Sequence, residues 1–134
     1  MNTIRLTIAE TLPTLNMLLR LHWSKRRRIQ SRVSQLVWLE MQRQGLRPAS
    51  PITRCRIRIR RYSRRSPDVD SLPSTGKLLL DVLQPASRAH PQGLGVIADD
   101  TPECIVDYKV EHVAGKNRMD IESEPIGVEG SPQA

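Results

Sequence analysis

The stretch "SPDVDSLPSTGKLLLDVL", residues 66–83, carries two carboxylates, a lysine and a third carboxylate at spacings that permit chemistry. Asp68 and Asp70 alternate with Val69, so on an extended segment both point the same way. Lys77 and Asp81 are four apart and share a helix face. A second acidic pair, Asp99 and Asp100, follows in "GVIADDTPE". Hard divalent cations such as Mg²⁺ favour carboxylate oxygens. Carboxylates from two segments converging on one ion or two, with a lysine against a charged phosphate, would make a phosphodiesterase site. The structural alternative is a turn and helix cap for Asp68 and Asp70, and a solvated turn for Asp99 and Asp100.

The charge around this stretch is unevenly spread. Residues 1–65 hold 16 of the 21 Lys and Arg and two acids, Glu10 and Glu40. Residues 66–134 hold five basic residues and 12 acids. A basic half beside an acidic half fits a nucleic-acid surface next to an acidic site. Two oppositely charged faces that solubilise, or that pair in a dimer, are the plainer reading.

These residues need a scaffold, and 134 residues suffice for one domain. There is no Phe, with two Trp and two Tyr, so the core must be Leu, Ile and Val, with Trp38 and Tyr108 packed into it. This argues against an aromatic platform for stacking bases.

"TIRLTIA" alternates as a half-buried strand, followed by a loop around Pro13. From Ser24 to Gln44 the residues Ile29, Val33, Leu36, Val37 and Met41 recur at helical spacing, and Gly45 stops the helix. The run Lys25–Arg28 falls in its first turns, where the helix dipole disfavours cations and an anion would be welcome. "ITRCRIRIRRY" is a strand with Cys55, Ile57 and Ile59 on one face and Arg54, Arg56, Arg58 and Arg60 on the other. Four arginines on one face need counter-charge, from acidic side chains or phosphates.

Asp70 or Ser71 can cap a helix after Pro73, with Leu78, Leu79, Val82 and Leu83 as its apolar stripe. "CIVDYKVEHV" places Cys104, Val106, Tyr108, Val110 and His112 on one face. With "RMDIESE" it should form a hairpin. His112 then reads as a satisfied buried histidine. His22 reads equally as a DNA contact or as a structural contact before the helix.

The expected class is α+β: a small mixed sheet with two helices, in the order β-α-β-α-β-β, over residues 1–124, with a frayed tail over 125–134. Cys55 and Cys104 read as small buried hydrophobes in a reducing compartment. Neither a membrane span nor a signal-peptide core is expected, which places the chain in the cytoplasm.

In order along the chain, three motifs resemble those of the RusA-type Holliday junction resolvases. "LPTLNMLLRLHWSKRRR" is similar to that family's P-S-x-N segment and basic stretch, with Asn16, Arg20 and His22 in those places. "PDVDSLPSTGKLLLDVL" is similar to D-x-D-N-L … K … D-x-L, with Ser71 where Asn is usual. "GVIADD" is similar to G-x-x-x-D-D. The resemblance covers most of the chain. It implies an α+β homodimer that binds four-way junctions and cuts them in pairs, with Mg²⁺ or Mn²⁺. Carried over by motif, Asp68, Asp70 and Asp100 are catalytic metal ligands, with Asp99 as a further candidate, and Lys77 is the essential lysine. Asn16, Arg20, Lys25, Arg26 and Arg27, with Arg58 and Arg60 on the strand, are the expected DNA contacts. The competing readings are a catalytically silent branched-DNA-binding protein of the same fold and a basic RNA- or ribosome-associated protein.

Overall fold

The computed structural model describes residues 3–10, 15–46, 50–65, 72–88 and 91–127. Asp68, Asp70 and Ser71 therefore lie outside the described residues, as does the side chain of Asn16.

Alternating apolar residues make the strands β1 (Ile4–Ile8), β2 (Cys55–Ser63), β3 (Ile105–Ala114) and β4 (Arg118–Pro125). The helices are α1 (Leu15–Leu19), α2 (Trp23–Gln44) and α3 (Lys77–Leu83), the last preceded by a 3₁₀ turn, Pro73–Gly76. Gly45 ends α2 in the left-handed conformation, φ 70°, which glycine adopts without steric cost. The expected element order holds, with one helix more. Part of the segment read as loop, Leu15–Leu19, is helical and buries Leu18. The N-cap of the 3₁₀ turn is Leu72, which makes no side-chain capping bond, and the expected caps Asp70 and Ser71 lie outside the described residues. Among the described residues, no helix is long and apolar enough to cross a membrane.

The four strands form one mixed sheet in the order β1-β4-β2-β3. Strand β2 is central, parallel to β3 and antiparallel to β4. This corrects the expected hairpin, because β3 and β4 do not pair. Residues 115–117 arch over the end of β2, where the Gly115 N–H donates to the Ser63 carbonyl (3.3 Å). The arch must cross two strand spacings of about 4.8 Å, within reach of four residue steps of about 3.3 Å. Inserting β2 is favourable because Cys55, Ile57 and Ile59 are fully buried, and their backbone groups then find partners on both sides. The parallel β2–β3 pair requires a crossover, which α3 supplies.

The core lies between one sheet face and the helices. Leu6, Ile8, Ile57, Ile59, Met119 and Ile121 meet Val33, Val37 and Met41 of α2 and Leu78, Leu79 and Leu83 of α3. Each such burial is worth about 1.5–3 kcal/mol. Tyr108 packs against this core, but Trp38 does not, being 47% exposed. It lies one residue past buried Val37, about 100° further round the helix and off the apolar stripe. Val106 is also exposed, and Ile105 is buried in its place. The register of β3 slips against Cys55–Arg56, and the extra residue reverses the alternation before Tyr108 restores it. Both cysteines are buried free thiols, and burial raises Cys55 first of all, to about 12. The region read as a tail is paired at its start: β4 runs to Pro125, and the Ile126 N–H donates to the Arg54 carbonyl (2.9 Å).

The other sheet face is open and polar. Arg56, Arg58 and Arg60 lie between the acidic rows of β4 and β3. Arg56 pairs with Glu124 (3.5 Å), Arg60 with Glu111 (4.0 Å) and Arg5 with Glu122 (3.3 Å). Arg58 stands opposite Glu122 and Lys109. With Asp107, Asp120 and Arg118 counted, six basic residues meet five acidic ones, Arg118 pairing with Asp120 (3.1 Å), so the arginine stripe finds most of its counter-charge inside its own sheet.

Candidate active site

Lys77 is the first residue of α3, and the sequence before it dictates its position. Pro73 suits the start of the 3₁₀ turn, and the Thr75 hydroxyl donates to the Leu72 carbonyl (2.7 Å). The turn is anchored to the sheet by the Tyr108 hydroxyl, which donates to the Pro73 carbonyl (2.9 Å). Gly76 sits so close to the sheet that a Cβ there would overlap the Tyr108 hydroxyl and Ile59 Cδ1. Gly76→Ala should therefore lower stability by about 1–3 kcal/mol, the usual cost of overpacking, measured by urea unfolding. An unchanged midpoint would mean that Tyr108 can move aside freely.

Asp100 is brought to Lys77 by a separate segment. The N–H groups of Leu94 and Gly95 donate to the Val82 and Gln84 carbonyls (2.8 and 2.9 Å). Those of Val96 and Ile97 donate to the Leu83 carbonyl (2.8 and 3.0 Å). These bonds satisfy carbonyls that the end of a helix leaves open. Gly95 permits the turn with φ 70°. The Ala98 N–H then donates to the Ile52 carbonyl (2.8 Å), fixing the segment just before Asp99. The Asp99 carboxylate accepts from the Asp100 N–H (2.8 Å), so it holds the turn while Asp100 reaches the lysine.

The two motifs meet at one ammonium group. Lys77 Nζ lies 3.1 Å from Asp81 Oδ1 and donates to Asp100 Oδ2 at 3.2 Å. Burial works against the Lys77 ammonium, but the bonds and charges of Asp81 and Asp100 outweigh it and raise its pKa above the ordinary lysine value. Burial likewise works against the Asp100 carboxylate, yet the bond and charge of Lys77 hold its pKa below the ordinary value. At neutral pH Lys77 is thus an ammonium and Asp100 an ionised carboxylate. Lys77 is suited to stabilising negative charge and cannot act as a base there.

The basic start of α2 lies close by. Gln30 lines one small cavity with Asp81 and a second, of about 430 Å³, with Trp23, Arg26 and Arg27. No acid lies in the first turn of α2. Lys25 and Arg27 are exposed and Arg26 is half-buried. Arg20 is exposed where α1 ends. His22 is structural: its Nδ1 accepts from the Ser24 N–H (3.2 Å) and caps α2. His112 is half-buried, with Nε2 3.0 Å from the Ser63 carbonyl.

The structure therefore joins Lys77, Asp81 and Asp100, and it sets Gln30 of α2, one turn past Arg26, beside Asp81. Arg58 and Arg60 are not joined to them, since they project from the open face while α3 packs on the other. Among the described residues, no three His, Cys, Asp or Glu side chains gather as a metal-holding group. Asp68 and Asp70, the other two expected ligands, are outside that set. Asp81 was legible only as the i+4 partner of Lys77, and its place in the cluster depends on Asp100 arriving from elsewhere. The class that fold and site define is a mixed four-stranded sheet, helix-covered on one face, with a Lys–Asp–Asp cluster at the head of α3. No protein-family model matches the chain, and no curated protein matches it.

Proposed function

We propose that the chain is a metal-dependent endonuclease that resolves branched DNA, four-way junctions above all, by paired phosphodiester hydrolysis. The observation that carries this reading is the Lys77 ammonium held between Asp81 and Asp100, two carboxylates from separate motifs. The resemblance of those motifs to the RusA-type resolvases supports it.

The donor chemistry fits a hard cation, because the cluster offers ionised carboxylate oxygens and no soft ligand. Asp100, with Asp68 and Asp70, would hold Mg²⁺ or Mn²⁺. Such an ion, when bound, supplies charge neutralisation at the phosphate and an acidified water. Lys77 keeps Asp100 ionised and oriented, and its ammonium faces charge that develops on the phosphate. Arg20, Lys25, Arg26 and Arg27 hold the backbone by charge, without reading sequence.

The test is incubation with a labelled synthetic four-way junction in Mg²⁺ and in chelator. Paired, symmetric cuts in Mg²⁺ alone are expected. The lysine also gives both carboxylates a partner without a metal, which favours a second reading, a catalytically silent junction-binding protein. That protein would bind equally in both conditions and cut in neither.

Two cuts need two related sites, so the active form is proposed as a homodimer, whose two-fold axis supplies them. Exposed Met17, Leu19, Trp23, Trp38 and Leu39 leave apolar surface to cover. Sedimentation at micromolar concentration should return twice the chain mass of 15.2 kDa. A monomer that still makes paired cuts would refute the dimer.

A further inference from the structure

At the far end of β2 the chain builds a second basic feature, distinct from the start of α2. An open groove of about 1180 Å³ lies where residues 115–117 arch over Ser63. It is lined by Arg61, Ser63, Arg64, Arg65, Lys116 and Asn117 among others. None of the described residues that line it is acidic. The acid nearest its wall in sequence, Glu10 after Ala9, is engaged by Arg32 of α2 through two bonds of 2.9 and 2.7 Å. Arg64, Arg65 and Lys116 are exposed, and no carboxylate among the described residues pairs with them.

The contrast with the open sheet face is informative. There, Arg56, Arg58 and Arg60 lie between acidic rows, with Arg56 paired to Glu124 and Arg60 to Glu111. In the groove, the residues that follow β2 and those of the arch bring Arg64, Arg65 and Lys116 together with no acid among the described lining residues. Like charges gathered in a concave site repel one another unless an anion joins them. The polypeptide brings them there from two separate segments, the end of β2 and the β3–β4 arch.

We propose that this groove binds the phosphodiester backbone of a duplex DNA arm, at a place separate from the Lys77 cluster. The proposal rests on the reading of the chain as acting on DNA. Its geometry suits an arm that runs along the molecule. Tyr108, bonded to Pro73 just ahead of Lys77, pairs with Ile57. Ser63, at the groove, is six residues further along the same strand. At about 3.3 Å per residue that is about 20 Å. A DNA strand rises about 3.4 Å per nucleotide, so the two places lie about six steps apart on one arm.

The test is fluorescence anisotropy with a labelled four-way junction and a labelled duplex. It is done in EDTA, so that nothing is cut, and over a range of salt concentrations. The triple variant Arg64→Ala, Arg65→Ala, Lys116→Ala replaces only exposed side chains and should melt as the wild type does. It is expected to weaken binding of both DNAs. The slope of log affinity against log salt should flatten by about 0.9 for each phosphate that is no longer neutralised. Lys116→Glu alone should weaken binding further than Lys116→Ala. An unchanged slope in the triple variant, while the wild type binds, overturns the groove and leaves the nuclease reading untouched. A slope that only Arg58→Ala flattens would put the phosphates on the open sheet face and also overturn it. If the wild type binds no DNA, both readings fall together. If it binds through the groove but cuts nothing in Mg²⁺, the groove stands and the nuclease reading falls. Displacement of the DNA by an RNA duplex at much lower concentration would assign the groove to RNA and overturn the proposal.

Discussion

Asp100→Asn should abolish cleavage of a four-way junction in Mg²⁺ while leaving junction binding intact or tighter. The amide is close in shape to the carboxylate and can still accept from Lys77, so the ends of α3 and of the 94–98 segment stay docked. What disappears is one negative charge. A neutral amide is a weaker partner for a hard cation than an ionised carboxylate. Phosphate near the cluster meets less repulsion, which is why affinity holds or rises. Asp70→Asn is expected to behave in the same way. Single-turnover cleavage and binding measured on the same preparation separate the two effects. Cleavage at the wild-type rate would remove Asp100 from the proposed chemistry and leave its bond to Lys77 as a structural ion pair.

Lys77→Gln is the second large effect, with a fall in cleavage rate of about 10²–10³-fold, as for loss of one preorganised donor to transition-state charge. Asp81 and Asp100 would then face each other without the ammonium that both now contact. Their mutual repulsion should also reduce stability. Because the Lys77 pKa is raised, its contribution is fully present below the unfolded lysine value and is lost as pH rises through the folded value. Because the Asp100 pKa is lowered, its contribution is present above the unfolded carboxylate value and is lost as pH falls through the folded one. The cluster is therefore intact across neutrality, and no step in the rate near pH 7 should arise from Lys77. Lys77→Arg keeps the charge, but its planar fork replaces a compact ammonium, so partial recovery is expected. Full activity in Lys77→Gln would show that the lysine is only a spacer between two carboxylates.

Much of this molecule was legible in local pattern. The alternation in "TIRLTIA", "ITRCRIRIRRY" and "RMDIESE" located β1, β2 and β4, and told which residues each buries, because a strand's faces alternate with period two. The 3.6-residue recurrence of Val33, Val37 and Met41 located α2 and its buried stripe, and Gly45 its end. The contact between Lys77 and Asp81 follows from one helical turn, since residues four apart are neighbours on any helix.

What the pattern could not settle was which elements lie side by side. Periodicity describes each segment's own faces and is silent on its partners. The last two strands read as a hairpin because only the short turn "AGKN" separates their runs, yet β2 lies between them. A strand whose buried face is Cys55, Ile57 and Ile59 is best placed at the centre of the sheet. That placement decided the fate of the arginines, which meet Glu111 and Glu124 across the sheet and so project away from Lys77. The slip at Val106 and the exposure of Trp38 have the same origin, since each depends on what packs against the residue.

The candidate site divides along the same line. Its residue types and the pair Lys77–Asp81 were determined by the sequence itself, through helical spacing and the chemistry of carboxylate and ammonium groups. The meeting of Lys77 with Asp100, 23 residues away, was decided by tertiary structure alone. It arises because the open carbonyls at the end of α3 and the carbonyl of Ile52 capture the 94–98 backbone, and buried Val96 and Ile97 secure it.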